Sequence, residues 1–111
     1  MASTLYVSLS PQQAAQAVDN AIVNGSVTGE RIDFYILNAP NQTACIVCIY
    51  EKHYYRAGNR LTLTVTIDNF EGRTRVVCVS GGGGEGFFRF DWGASKSFSN
   101  AVVEALGPYI L

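Results

Sequence analysis

Charged side chains are scarce in this chain. Of its 111 residues only 15% are Asp, Glu, Lys or Arg, and the 8 basic residues do not outnumber the 9 acidic ones. Without a basic excess there is little to contact phosphates, so nucleic acid is not expected as a partner. So few charges also leave apolar surface for another chain to cover. Long apolar runs are missing too. No window approaches the roughly 20 residues of a membrane span, so no membrane association is expected. The opening Met-Ala-Ser-Thr-Leu-Tyr-Val has no basic segment followed by a long apolar run, which argues against a signal peptide. Histidine is nearly absent, and the single His53 cannot complete a zinc set. The 3 cysteines are an odd number inside strand-like runs, which fits free thiols in a reducing cytoplasm. No metal and no cofactor are expected.

What is present is alternation. Leu61, Leu63, Val65 and Ile67 fall on one side of an extended Arg60–Asp68, and Thr62, Thr64, Thr66 and Asp68 on the other. Period two with β-branched residues is a strand, dry on one face and polar on the other. Such a strand belongs in an antiparallel sheet covered on one side.

The remaining elements extend or cover that sheet. Thr4–Leu9 reads as a first strand. Ser10, Pro11 and Gln13 form a helix start with a capping box. The helix stripe is Ala14, Ala17, Val18, Ala21 and Ile22, and Gly25 stops it. Glu30–Leu37 alternates, with Ile32, Phe34 and Ile36 opposite Arg31, Asp33 and Tyr35. Asn38 to Asn41 is a turn. Thr43–Lys52 is apolar on both sides in its middle, as in a central strand or one whose outer face is covered. Gly72 suits a turn that needs a positive φ. Arg73–Ser80 is a fifth strand, which the glycines from Gly81 to Gly84 break. Gly86–Trp92 is a sixth. A final helix starts near Ser95 or Ser97, carries Phe98, Ala101, Val102, Ala105 and Leu106 as its stripe, and stops at Gly107-Pro108. The tail Tyr109-Ile110-Leu111 is too apolar to hang loose. Residues 1–111 thus form a single α+β domain. It is a curved antiparallel sheet with two helices on one face, in the order β-α-β-β-β-β-β-α.

Candidate chemistry is thin. Cys45 and Cys48, three apart on a strand, point to opposite faces and cannot share a metal or an easy disulfide. Ser80 to Gly86 lacks the Gly-Lys-Ser/Thr ending of a phosphate loop and runs into a strand. Its glycines, Gly82 and Gly83 among them, close a hairpin or leave room for a ligand or partner to approach the backbone. His53 with Tyr55 and Arg56 offers a titratable ring, aromatics and a cation, yet no local spacing fixes a nucleophile beside His53. Phe88, Phe90 and Trp92 share a strand face, either as core or as the wall of an apolar pocket. No catalytic residue is assigned.

Asn20 to Ser26, Tyr50 to Leu63, and Ser80-Gly-Gly-Gly followed by Phe87-Phe-Arg-Phe and Trp92-Gly93 together resemble an uncharacterised family of small bacterial proteins. That resemblance spans nearly the whole chain. It implies a soluble cytoplasmic protein and brings no known activity. The expected function is a non-enzymatic interaction or ligand-binding module acting as a homodimer, through the outer sheet face or an edge strand. The alternatives are a small-molecule carrier with a pocket between sheet and last helix, and an enzyme using His53 with Tyr54, Tyr55 or Arg56.

Overall fold

A computed structural model of the chain describes residues 2–25, 29–54, 59–82 and 94–111. The elements are β1 (Ala2–Val7), α1 (Pro11–Asp19), β2 (Glu30–Ala39), β3 (Thr43–Tyr54), β4 (Asn59–Asp68), β5 (Thr74–Gly82) and α2 (Ala94–Leu106). The strands form one open sheet in the order β1-β5-β4-β3-β2, and every pairing is antiparallel. This is the α+β architecture expected from the sequence. The strand expected at Gly86–Trp92 lies outside the described residues.

β4 is the middle strand. Its four apolar residues, Leu61, Leu63, Val65 and Ile67, are completely buried, whereas Thr62, Thr64 and Thr66 are half-buried on the opposite face. Both helices lie on the dry face. α1 covers β3 and β4, and α2 covers β5, β1 and β4. Ala14, Ala15, Val18 and Ile22 from the α1 side meet Val102 and Leu106 of α2 over the sheet residues Ile46, Cys48, Tyr50, Val76 and Cys78. Full burial of an aliphatic side chain of this size stabilises by about 1.5–3 kcal/mol.

The start of α1 follows the expected capping box. Ser10 Oγ accepts from the Gln13 N–H at 3.2 Å, and Gln13 Oε1 accepts from the Ser10 N–H at 3.1 Å. Beyond Asp19 the helix widens into a π turn, Asn20–Asn24, ending at Gly25. Gly25 stays right-handed, with φ −93°, so left-handed freedom is not the reason for glycine there. A Cβ at Gly25 would sit 2.5 Å from the Ala21 carbonyl oxygen, and that is the reason.

Three sequence expectations need correction. β5 runs on through Gly81 and Gly82, which pair with Thr62 and Leu61, so the glycines do not break it at Ser80. The alternation of β2 is interrupted: the pairing shifts between Arg31 and Asp33, leaving Ile32 as an extra residue. Arg31 therefore sits on the helix side with Phe34 and Ile36, not with Asp33 and Tyr35. β1 spans Ala2–Val7 rather than Thr4–Leu9. β3, apolar on both sides, lies inside the sheet one strand in from its edge, and its outer residues Cys45, Val47 and Ile49 are half-buried.

Candidate functional site

Two strands bound the sheet, and they differ. The outer edge of β1 is closed at its C-terminal end by the chain itself. Ser8 N–H donates to the Tyr109 carbonyl at 2.8 Å, Leu111 N–H donates to the Tyr6 carbonyl at 2.9 Å, and Ile110 bridges Val7. The outer edge of β2 has no neighbouring strand among the described residues. All ten of its residues are exposed.

This exposure is apolar. Ile32, Phe34, Tyr35, Ile36 and Leu37 are 48%, 37%, 46%, 43% and 57% exposed. The β2–β3 register sorts them. Phe34 and Ile36 stand opposite buried Cys48 and Ile46, on the helix side, while Tyr35 and Leu37 stand opposite Val47 and Cys45 on the outer face. The edge is therefore apolar above and below its own backbone.

α1 stops short of β2 and leaves a groove of about 120 Å³ floored by Phe34, Ile36 and Ile46 and walled by Gln12, Gln16 and Asp19. Arg31 fixes one end of it. Its guanidinium reaches Asp19 Oδ1 at 3.3 Å and lies 4.8 Å from the centre of the Phe34 ring. The same Asp19 oxygen accepts from the buried Tyr50 hydroxyl at 3.2 Å. Burial and the neighbouring Cys48 and Asp19 push the Tyr50 phenol well above its ordinary range, so it remains a neutral donor. Burial likewise raises the Cys48 thiol, against a lowering by its hydrogen bond with Tyr50. The Arg31, Asp19 and Tyr50 contacts tie β2 and β3 to α1, and burial keeps the Cys48 thiol and the Tyr50 phenol protonated at neutral pH.

The residues singled out in the sequence lie elsewhere. His53 is in β3 opposite Arg60, and Gly82 is in β5 opposite Leu61, so the topology brings both to the same end of the sheet. Tyr55, Arg56, Gly83, Phe88, Phe90 and Trp92 lie outside the described residues. Gly81 needs no bare backbone, because a Cβ there would meet only Thr62 Oγ1, at 3.8 Å. Cys48 and Cys78 are buried on the helix side, and Cys45 is on the outer face, as its spacing from Cys48 requires. Among the described residues no three His, Cys, Asp or Glu side chains gather where they could hold a metal. No helix among them is long and apolar enough to cross a membrane. The β2 edge was missed as a site. Its signal was present in Tyr35 and Leu37, apolar residues on the face that alternation should have made polar.

An open antiparallel sheet with two helices on one face, and an apolar edge strand beside them, defines the class: a small α+β domain. The chain belongs to a family of unknown function (DUF6054), whose family model matches residues 1–110. No curated protein matches it, and no solved structure matches it.

Proposed function

We propose that the protein is a non-enzymatic association module that works as a homodimer in the reducing cytoplasm. The observation that carries this reading is the apolar exposure concentrated on β2, with Val79 adding to it on the outer sheet face. At roughly 25 cal/mol per Å² of apolar surface removed from water, a second copy is an effective cover. The three unpaired cysteines support the reducing compartment.

The alternative of a small-molecule carrier places its pocket between the sheet and the last helix, where Phe88, Phe90 and Trp92 lie outside the described residues. The cleft between α1 and β2 holds about 120 Å³, below the roughly 300–1,000 Å³ of pockets that enclose drug-sized ligands. A wider depression of about 550 Å³ beside Ser10, Arg73 and Leu111 is open to solvent.

Light scattering coupled to size exclusion tests the proposal. At tens of micromolar protein the expected mass is twice the 12.0 kDa of one chain. A mass of one chain would refute the homodimer.

A further inference from the structure

Edge strands carry unpaired N–H and C=O groups, and proteins that remain monomeric blunt them with lysine, proline, short length or a cover. β1 is covered at its C-terminal end by residues 109–111. β2 is ten residues long and contains neither lysine nor proline. Its three charged residues, Glu30, Arg31 and Asp33, all lie in its first four positions. Beyond the irregularity at Ile32 the strand pairs regularly from Asp33 to Ala39. The Phe34 N–H donates to the carboxylate of its own neighbour Asp33 at 2.8 Å, which places that amide at the open edge. Amides two residues apart on a strand point the same way, so Ile36 and Asn38 also present theirs outward.

Resting on the homodimer reading, we infer that the second copy joins through β2, antiparallel to its own β2, extending the two sheets into one. A two-fold axis through Ile36 uses the whole regular stretch. It sets Ile36 against its own copy, Phe34 against Asn38 and Tyr35 against Leu37. The outward amides of Phe34, Ile36 and Asn38 then each find a carbonyl, on the order of six backbone hydrogen bonds. Asp33 releases the Phe34 amide as the partner strand takes it. Antiparallel pairing sends the two charged ends to opposite ends of the interface, so no like charges meet and the apolar middles do. Two-fold pairing of one surface with itself also closes the assembly at two chains. The exposed halves of the four large side chains within the paired stretch, Phe34, Tyr35, Ile36 and Leu37, amount to on the order of 400 Å². With the backbone of a paired stretch about 24 Å long, that is in the range of a weak, reversible interface, below the roughly 800 Å² per partner of a standard one.

The outer sheet face is the rival surface, and three variants separate the two. Ile36→Pro removes an outward amide without touching the β3 ladder, so the fold should be kept, as prolines on edge strands allow. Ile36→Cys places two sulfurs across the axis, where facing hydrogen-bonded residues have Cα atoms about 5.5 Å apart, within disulfide reach. Val79→Lys alters the outer face at an exposed position on β5. The expected results are a dimer for the native chain and for Val79→Lys, and a one-chain mass for Ile36→Pro at an unchanged melting temperature. Mild oxidation should give a covalent dimer for Ile36→Cys that the native chain does not form. A native chain of one-chain mass overturns both this inference and the homodimer. A dimer that survives Ile36→Pro and is lost in Val79→Lys overturns the edge pairing and leaves the homodimer standing. If Ile36→Pro unfolds, the cysteine variant decides, and a dimeric but uncrosslinked Ile36→Cys protein overturns the inference.

Discussion

Leu111 donates its backbone N–H to the Tyr6 carbonyl across 2.9 Å, so the apolar tail serves as a partial sixth strand beside β1. Tyr109, Ile110 and Leu111 remain 41%, 43% and 68% exposed. Their side chains therefore bury little, and the main service of the tail is to occupy backbone groups that would otherwise recruit another chain.

Removing residues 109–111 should have two effects. Losing the hydrogen bonds at Ser8 and Leu111 should lower stability by about 1–3 kcal/mol, at ~0.5–1.5 kcal/mol for each bond. On the proposed pairing through β2, baring the C-terminal end of the β1 edge widens a second open edge on each molecule, which permits open-ended growth in place of a closed pair. Light scattering should show masses beyond the dimer. A truncated chain with the native mass would mean that the β1 edge does not attract a partner.

The hairpin between β2 and β3 turns through Asn41 and Gln42, with φ of 65° and 62°. Both central residues are left-handed, the geometry of a type I′ turn, and the second position of such turns favours glycine. Asn41 tolerates it and Gln42 does so poorly. The Gln42 carbonyl, which accepts from Asn69 Nδ2 at 3.2 Å, is main chain and survives substitution. Gln42→Gly should therefore stabilise. Left-handed strain of ~1–2 kcal/mol is relieved against ~0.5–1 kcal/mol of added unfolded-state entropy, a net gain of about 0.5–1 kcal/mol. A urea midpoint that falls instead would assign the Gln42 side chain a contact of its own.

The sequence was most legible where local chemistry and burial agree. β4 alternates from Leu61 to Ile67 because it lies mid-sheet, with helices on one side and a half-buried face on the other, and departs only at Asp68, which is buried beside Arg75. The α1 start was legible because Ser10, Pro11 and Gln13 act within one turn. Legibility failed where distant parts of the chain decide. Arg31-Ile32-Asp33 alternates smoothly on paper, and only the pairing with Tyr50 and Ile49 reveals the extra residue. Gly81 and Gly82 look like a break, yet pairing with β4 holds them extended. The π turn could not be read from a helical stripe, because Ala21 and Ile22 suit either winding, and the close approach of the Ala21 carbonyl to Gly25 exists only once the turn has formed. Strand order was equally hidden. Glu30–Ala39 does not fix its own place at the border of the sheet, and the apolar outer residues Tyr35 and Leu37 are the one local trace of it.

Cys78 offers a test of the core through pH. It is fully buried opposite Val65, and burial pushes its thiol from 9.0 up to about 12. Its folded pKa is raised, so its contribution to stability is fully present below the unfolded value near 9. As pH rises beyond that, the unfolded chain ionises while the folded one does not, and the contribution is lost progressively up to the folded value near 12. The slope for one such group is about 1.4 kcal/mol per pH unit. Cys48 and Tyr50 are raised too and add loss of the same sign, so the test is a difference. Urea midpoints measured from pH 7.5 to 10.5 should fall more steeply for the native chain than for Cys78→Ala, by close to one proton above pH 9. The alanine variant will be less stable at pH 7.5 because of its cavity, which leaves the comparison of slopes intact. Parallel slopes would mean that water reaches Cys78, and that the seam between α2 and β5 is looser than the packing described here.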